Sequence, residues 1–192
     1  KMTGVRVDLE RADKLKKQLL AKEKKTLKEV EKVSGIKDIR VWAANDVAQV
    51  FDACEIPYNH TAKGSPSFTK AFLANQKHPV AQMIMRIREL NKAHKTFIDT
   101  IIKHAHNGRI HADVRQLKGE TGGTVTGRLS MSNPNLQQVP ARDKEIGPLI
   151  RSLFLPEEGQ KWCSADFSQQ EPRILTHFAY RSQYEGADTI AE

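Results

Sequence analysis

The run Asp166-Phe167-Ser168-Gln169-Gln170-Glu171-Pro172-Arg173-Ile174-Leu175 closes a longer stretch, from Thr121 onward, around which the whole chain is organised. Before it, Gln160-Lys161-Trp162-Cys163-Ser164-Ala165 mixes β-formers and small residues behind the turn-like Pro156-Glu157-Glu158-Gly159. That pattern predicts a strand. After Asp166, the residues Ile174, Leu175, Phe178 and Ala179 fall at helical spacing. Ser168 as N-cap, with Glu171 three residues on, forms a capping box and puts the helix start near Gln169. Pro172 then sits in the first turn, where its missing N–H costs little. Asp166 is expected at the carboxyl end of a strand, beside a helix N-terminus, where many enzymes hold a metal-binding or catalytic carboxylate. Read from the residues alone, an Asp in that place is more often a cap or turn residue.

Residues 166–173 closely resemble the first catalytic palm motif of family A DNA polymerases, the bacterial polymerase I group and its phage relatives. Gln170 and Pro172 look more like the phage members. A second stretch similar to that family stands upstream: Thr126-Gly127-Arg128-Leu129-Ser130, then Asn133-Pro134-Asn135-Leu136-Gln137-Gln138-Val139-Pro140 and Arg142. Weaker similarity continues back to Met2-Thr3-Gly4-Val5-Arg6-Val7-Asp8, so the resemblance covers essentially the whole chain.

The resemblance implies an α+β fold: long antiparallel thumb helices with a small helical tip, followed by the first strands and helix of a palm. Residues 1–106 would be the thumb and 107–192 the start of the palm, with its motif at 166–175. The implied reaction is attack of a primer 3′-hydroxyl on the α-phosphate of a deoxynucleoside triphosphate, with release of pyrophosphate. Two Mg²⁺ ions about 3.5–4 Å apart would support it, held in part by the Asp166 carboxylate and the Phe167 backbone carbonyl. Glu171 matches the residue that crowds the sugar 2′ position and excludes ribonucleotides. Arg128 is the candidate for the primer-terminal pair, because a cationic donor in the minor groove can test pair geometry without reading sequence. Asn135, Gln137, Gln138 and Arg142 would contact nearby sugars, bases or phosphates, although many members have Asn where Gln138 stands. Lys95 and Thr96 resemble thumb positions that meet the primer–template backbone. Without its neighbours, the 133–140 run reads as an Asn/Pro-rich loop that caps itself.

Nothing after Asp166 resembles the fingers helix that binds the triphosphate, and no His-Asp-Glu turn supplies a second metal carboxylate. Asp188 is too close in sequence and sits in an unrelated context. The chain alone is therefore expected to lack activity, and its start at Lys1 before Met2 and its stop at Glu192 read as those of a piece of a longer polypeptide. The competing reading is a non-catalytic, basic, mostly helical DNA-binding module.

Composition agrees with a nucleic-acid partner. The 192 residues carry a net charge of +8, with 28% charged and 39% apolar residues, so a modest core and a polyanionic partner are expected. No stretch approaches the roughly 20 apolar residues of a membrane span, and no signal peptide is visible. Two distant cysteines, Cys54 and Cys163, suit reduced thiols. The cytoplasm of a bacterial or phage-infected cell is the expected location.

Along the chain, residues 9–33 read as one helix with Asp8 as N-cap and Ser34-Gly35 as its end. Its Lys-rich face reads equally as a phosphate track or as a solvated face laced with Glu23, Glu29 and Glu31. Asn45 or Asp46 opens a short helix to about Ala53. Thr61-Ala62-Lys63-Gly64-Ser65-Pro66-Ser67 is a polar loop, either a surface turn or a meeting point for backbone phosphates. Another short helix runs from about Ser67 to Ala74. Pro79 opens a second long helix to about His104, expected to pack antiparallel to the first. Arg86, Arg88, Lys92, His94, Lys95 and Thr96 form its polar group. His104, His106, His111 and Asp113 have metal-ligating side chains, but their place at a helix end is explained by the dipole. Residues 109–117 alternate and predict one half-exposed strand. After the flexible 118–123 connection, Thr124 to Ser130 is the strand or turn that presents Arg128.

Overall fold

A computed structural model describes residues 3–120, 122–141 and 143–186. Arg142 and Asp188 lie outside the described residues. By contacts the chain forms two compact units, residues 1–156 and 157–192.

In the first unit, strand β1 (Val5–Val7) leads directly into helix α1 (Leu9–Ser34). Asp8 caps it as expected, its carboxylate accepting from the Arg11 N–H at 2.9 Å. Gly35, at φ 72°, ends it by donating its N–H to the Glu31 carbonyl; a left-handed C-cap of this kind is what glycine tolerates best. Helix α2 (Ala44–Ala53) starts just before the expected residues and buries Val47, Ala48, Val50 and Phe51. Strands β2 (Asn59–His60) and β3 (Pro66–Ser67) form a small hairpin, followed by α3 (Lys70–Asn75), which Thr69 caps. Helix α4 (Pro79–Lys92) has Pro in its first turn, where an N–H would go unpaired anyway. A π-helical turn, Ala93–Ile98, carries it on into α5 (Asp99–His104).

The helix pair is antiparallel, since Lys16 meets Asp99 while Glu23, farther along α1, meets Asn91 and His94. The pair spans two separate apolar cores. One gathers Val30, Val41, Val50, Phe51, Phe68, Leu73 and Ile84 at the tip. The other gathers Val7, Leu15, Leu19, Leu90, Ile98, Ile110, Ile150 and Leu153 at the base. Met83 and Met85 pack on the tip core, as ordinary helix residues.

The base is closed by a four-stranded sheet in the order β4-β5-β1-β8, from β4 (Ala105–His106), β5 (Arg109–Ile110), β1 and β8 (Phe154–Leu155), all antiparallel. The strand expected over 109–117 is broken at His111-Ala112. Its second part, β6 (Asp113–Arg115), leaves this sheet and pairs with β7 (Ser130–Ser132) instead, in the register Asp113↔Ser132 and Arg115↔Ser130. The alternation in sequence is continuous, so it could not reveal the change of partner. Helix α6 (Ile146–Arg151) then packs Ile146 and Ile150 into the base core.

The second unit corrects two expectations. Residues 160–165 form no strand; a strand needs a hydrogen-bonded neighbouring strand, and among the described residues no β-ladder includes them. Helix α7 (Gln170–Arg181) forms, but Ser168 is not its cap. The chain enters through Gln169 in a left-handed conformation, φ 54°, with no side-chain cap, so Ser168 falls one residue too early.

Candidate nucleic-acid interface

The first unit brings together three of the residues singled out in sequence. Thr96, Asn135 and Gln138 line one cleft of about 110 Å³, with Phe97, Thr100, Leu136 and Val139 among its other walls. The π-turn carries Thr96 on one side, and a 3₁₀ turn, Leu136–Gln138, supplies the other. Gln138 also lines a second, larger cleft of about 440 Å³, with Lys70, Glu89, Lys92, Phe97 and Asp143 around it. Lys95 is exposed beside Thr96. Phe97 and Thr100 were not singled out in sequence; the signal was their place within one helical turn of Thr96.

The 133–138 run owes its shape to local bonds. Asn135 Oδ1 accepts from the Gln137 N–H at 3.0 Å, so this loop does cap itself. Gln137 Nε2 donates to the Leu129 carbonyl at 3.0 Å and ties the 3₁₀ turn to the segment that carries Arg128. Asn133 Nδ2 donates to Asp113 at 3.1 Å, anchoring the same run to β6. Arg128 follows the turn at Gly127, where φ is 74°, and is exposed; its carbonyl accepts from the Thr124 hydroxyl. These bonds fix the backbone, and Arg128, Asn135, Gln137 and Gln138 are exposed at the surface.

The polar group on the second long helix divides. Lys92, Lys95 and Thr96 are exposed, whereas His94 is 2% exposed. Arg88 is not a DNA-facing cation: it donates to the Val41 carbonyl at 2.8 Å and to the Phe68 carbonyl at 2.7 Å, and lies over the Trp42 ring. Burial pulls its guanidinium below the ordinary value. Arg86 and Lys22 both pair with Glu145, just before α6. Burial pushes the neighbouring Asp143 carboxyl up, but the N–H groups of Ile146 and Glu145 together with Arg86 outweigh it and hold the carboxyl below the usual range. Asp143 is thereby an anionic cap that fixes the start of α6.

At the tip, the 61–67 loop closes on itself. The Thr61 N–H donates to the Ser65 carbonyl, the Gly64 N–H to the Thr61 carbonyl and the Ser65 N–H to the Thr61 hydroxyl, at 2.8, 2.9 and 3.2 Å. Those N–H groups are engaged within the loop, while Lys63 remains exposed. His111 lies against Gly4, where any side chain would collide with it.

In the second unit, Asp166, Phe167 and Glu171 are exposed ahead of and on the first turn of α7. Leu175 and Phe178 on that helix are 71% and 61% exposed. Among the described residues no group of three or more His, Cys, Asp or Glu is placed to hold a metal ion. Paired Mg²⁺ ions need several oxygen ligands; one carboxylate and one carbonyl do not complete such a site. No helix among the described residues is long and apolar enough to cross a membrane.

Comparison with known proteins identifies the family. The sequence profile described as DNA polymerase family A matches residues 9–184. A DNA-directed DNA polymerase of Pseudomonas phage M6 is 40% identical, over 92% of this chain and 28% of that protein. DNA polymerase DpoZ of Salmonella phage PMBT28 is 36% identical, over 92% and 31%. A thermostable DNA polymerase I of Thermus thermophilus is 33% identical, over 92% and 21%. Among solved structures, the POL domain of Pol1 from M. smegmatis, in complex with DNA primer–template and dNTP, superposes with a TM-score of 0.73 at 28% identity, covering 93% of this chain and 31% of that one. The chain thus spans less than a third of the length of each.

Proposed function

The chain belongs to DNA polymerase family A, and from that premise we propose that it supplies the primer–template grip and the first palm carboxylate of a DNA-directed DNA polymerase. Residues 1–106 are the thumb and 107–192 the beginning of the palm. Lys95, Thr96, Arg128, Asn135, Gln137 and Gln138 hold the duplex; Arg142 joins them on its motif alone. The carrying observation is the cleft in which Thr96 meets Asn135 and Gln138 across some forty residues of sequence. Exposed hydroxyl, amide and cationic donors of this kind contact sugars and phosphates without reading bases.

In the full enzyme, deoxynucleoside triphosphates are the substrates, and Asp166 with the Phe167 carbonyl is part of a site for two Mg²⁺ ions. When bound, those ions would neutralise charge on the reacting phosphate. By itself the chain would bind duplex without extending a primer, since its residues after Asp166 resemble neither the triphosphate-binding fingers helix nor the turn with a second metal carboxylate. The bacterial or phage-infected cytoplasm is the compartment where such an enzyme meets DNA.

Glu171 tests the assignment. Replacing it with Ala in a full-length polymerase carrying this sequence opens room for a ribose 2′-hydroxyl. Ribonucleotide incorporation relative to deoxyribonucleotide should rise about tenfold or more, which is roughly 1.4 kcal/mol in discrimination. A competition assay reads that ratio. Loss of about 1 kcal/mol of stability with unchanged sugar selection would make Glu171 a structural residue of the helix start only.

A further inference from the structure

We infer that Glu23 and Lys16 on α1 clamp the π-turn of the partner helix and thereby position Lys95 and Thr96 for the duplex; this rests on the DNA-binding reading above. Glu23 accepts from Asn91 Nδ2 at 2.9 Å and pairs with Nε2 of the buried His94. A carboxylate can only accept, so Nε2 carries the proton. Lys16 Nζ meets Asp99 Oδ1 at 2.7 Å. Residues 16 and 23 are two helical turns apart and share one face of α1. Their partners, Asn91 with His94 and then Asp99, bracket the π-turn from both ends.

The bracket has a geometric consequence. Within the turn, the Asp99 N–H donates to the His94 carbonyl, five residues back, instead of to Lys95. One extra residue per turn rotates whatever follows by about 100° relative to an unbroken α-helix. With His94 drawn inward to Glu23 and Asp99 held to Lys16, Lys95 and Thr96 among the four residues between them are left exposed, while Ile98 turns into the base core. Glu23 sits between Leu19 of the base core and Val30 of the tip core, while His94 and the Lys16–Asp99 pair lie alongside the base core, next to Ala93, Leu15 and Ile98. Polar groups at such a point specify register better than they add stability.

The test replaces the clamp without emptying the interface. Glu23→Leu/His94→Leu substitutes apolar residues for a buried polar pair, an exchange that often preserves stability. Lys16→Ala, at an exposed pair, leaves both cores untouched. Affinity for a primer–template duplex is measured by fluorescence anisotropy at one salt concentration, for each variant alone and combined with Lys95→Ala/Thr96→Ala, with far-UV circular dichroism confirming the fold. Glu23→Leu/His94→Leu should lose about fivefold in affinity and Lys16→Ala about twofold. Both losses should vanish in the Lys95→Ala/Thr96→Ala background, the non-additivity expected of coupled residues. Glu23→Gln, whose amide keeps both hydrogen bonds once His94 changes tautomer, should bind like the parent chain. If Lys95→Ala/Thr96→Ala itself binds normally, the DNA contact is wrong and the clamp falls with it. If that pair weakens binding while the clamp losses persist undiminished in it, the clamp alone is wrong.

Discussion

Asp166→Asn, made in a full-length polymerase carrying this sequence, should reduce nucleotide addition at least about a thousandfold, roughly 4 kcal/mol of barrier, while duplex affinity stays nearly unchanged. An amide is isosteric with the carboxylate, so shape and folding are preserved. What it loses is the negative charge that a hard divalent cation requires. Asp166 is exposed ahead of α7, so no packing within this chain depends on it. Binding and chemistry should therefore separate cleanly. Single-turnover primer extension, alongside a duplex titration, measures both. Extension above about a tenth of the parental rate, a change below about 1.4 kcal/mol, would exclude Asp166 as an essential metal ligand.

The second large effect is expected at the tip. Phe51 is fully buried, and its ring lies 4.8 Å from Phe68, 6.1 Å from Tyr58 and 6.2 Å from Phe72 by centroid. Removing it deletes the shared member of an aromatic cluster and leaves a cavity that helices α2 and α3 cannot both collapse to fill. Phe51→Ala should cost about 3–5 kcal/mol, lowering the thermal midpoint on the order of 10 °C for a chain this size. Phe178→Ala, at an exposed ring of α7, should cost under about 0.5 kcal/mol in the same chain. Calorimetry of the two variants checks the contrast. Equal small losses would show that the tip cluster contributes little to the folded state.

The helices were legible because their signals are local. Asp8 and Gly35 mark the ends of α1, Pro79 opens α4, and the apolar spacing between them needs no partner to be read. The family was legible by resemblance in the 126–140 and 166–173 stretches, and the structure brings Thr96, Asn135 and Gln138 to one cleft. What escaped depends on partners distant in sequence. The 109–117 alternation carries no mark of the switch from β1 to β7, and 160–165 has strand-forming residues without a strand beside them. His94 looked like one more surface cation; its burial follows only from Glu23 facing it across the helix pair. Arg88 likewise became structural because two carbonyls of the tip lie within its reach.

The most direct test of a duplex-gripping chain is one titration: fluorescence-labelled primer–template DNA against this chain, repeated over a series of salt concentrations. Net charge +8 and the exposed donors at Lys95 and Arg128 predict sequence-independent binding at low salt. The logarithm of the affinity should fall linearly with the logarithm of salt, by about 0.9 for every phosphate neutralised. Absence of binding at low salt, or an affinity indifferent to salt, would contradict the account.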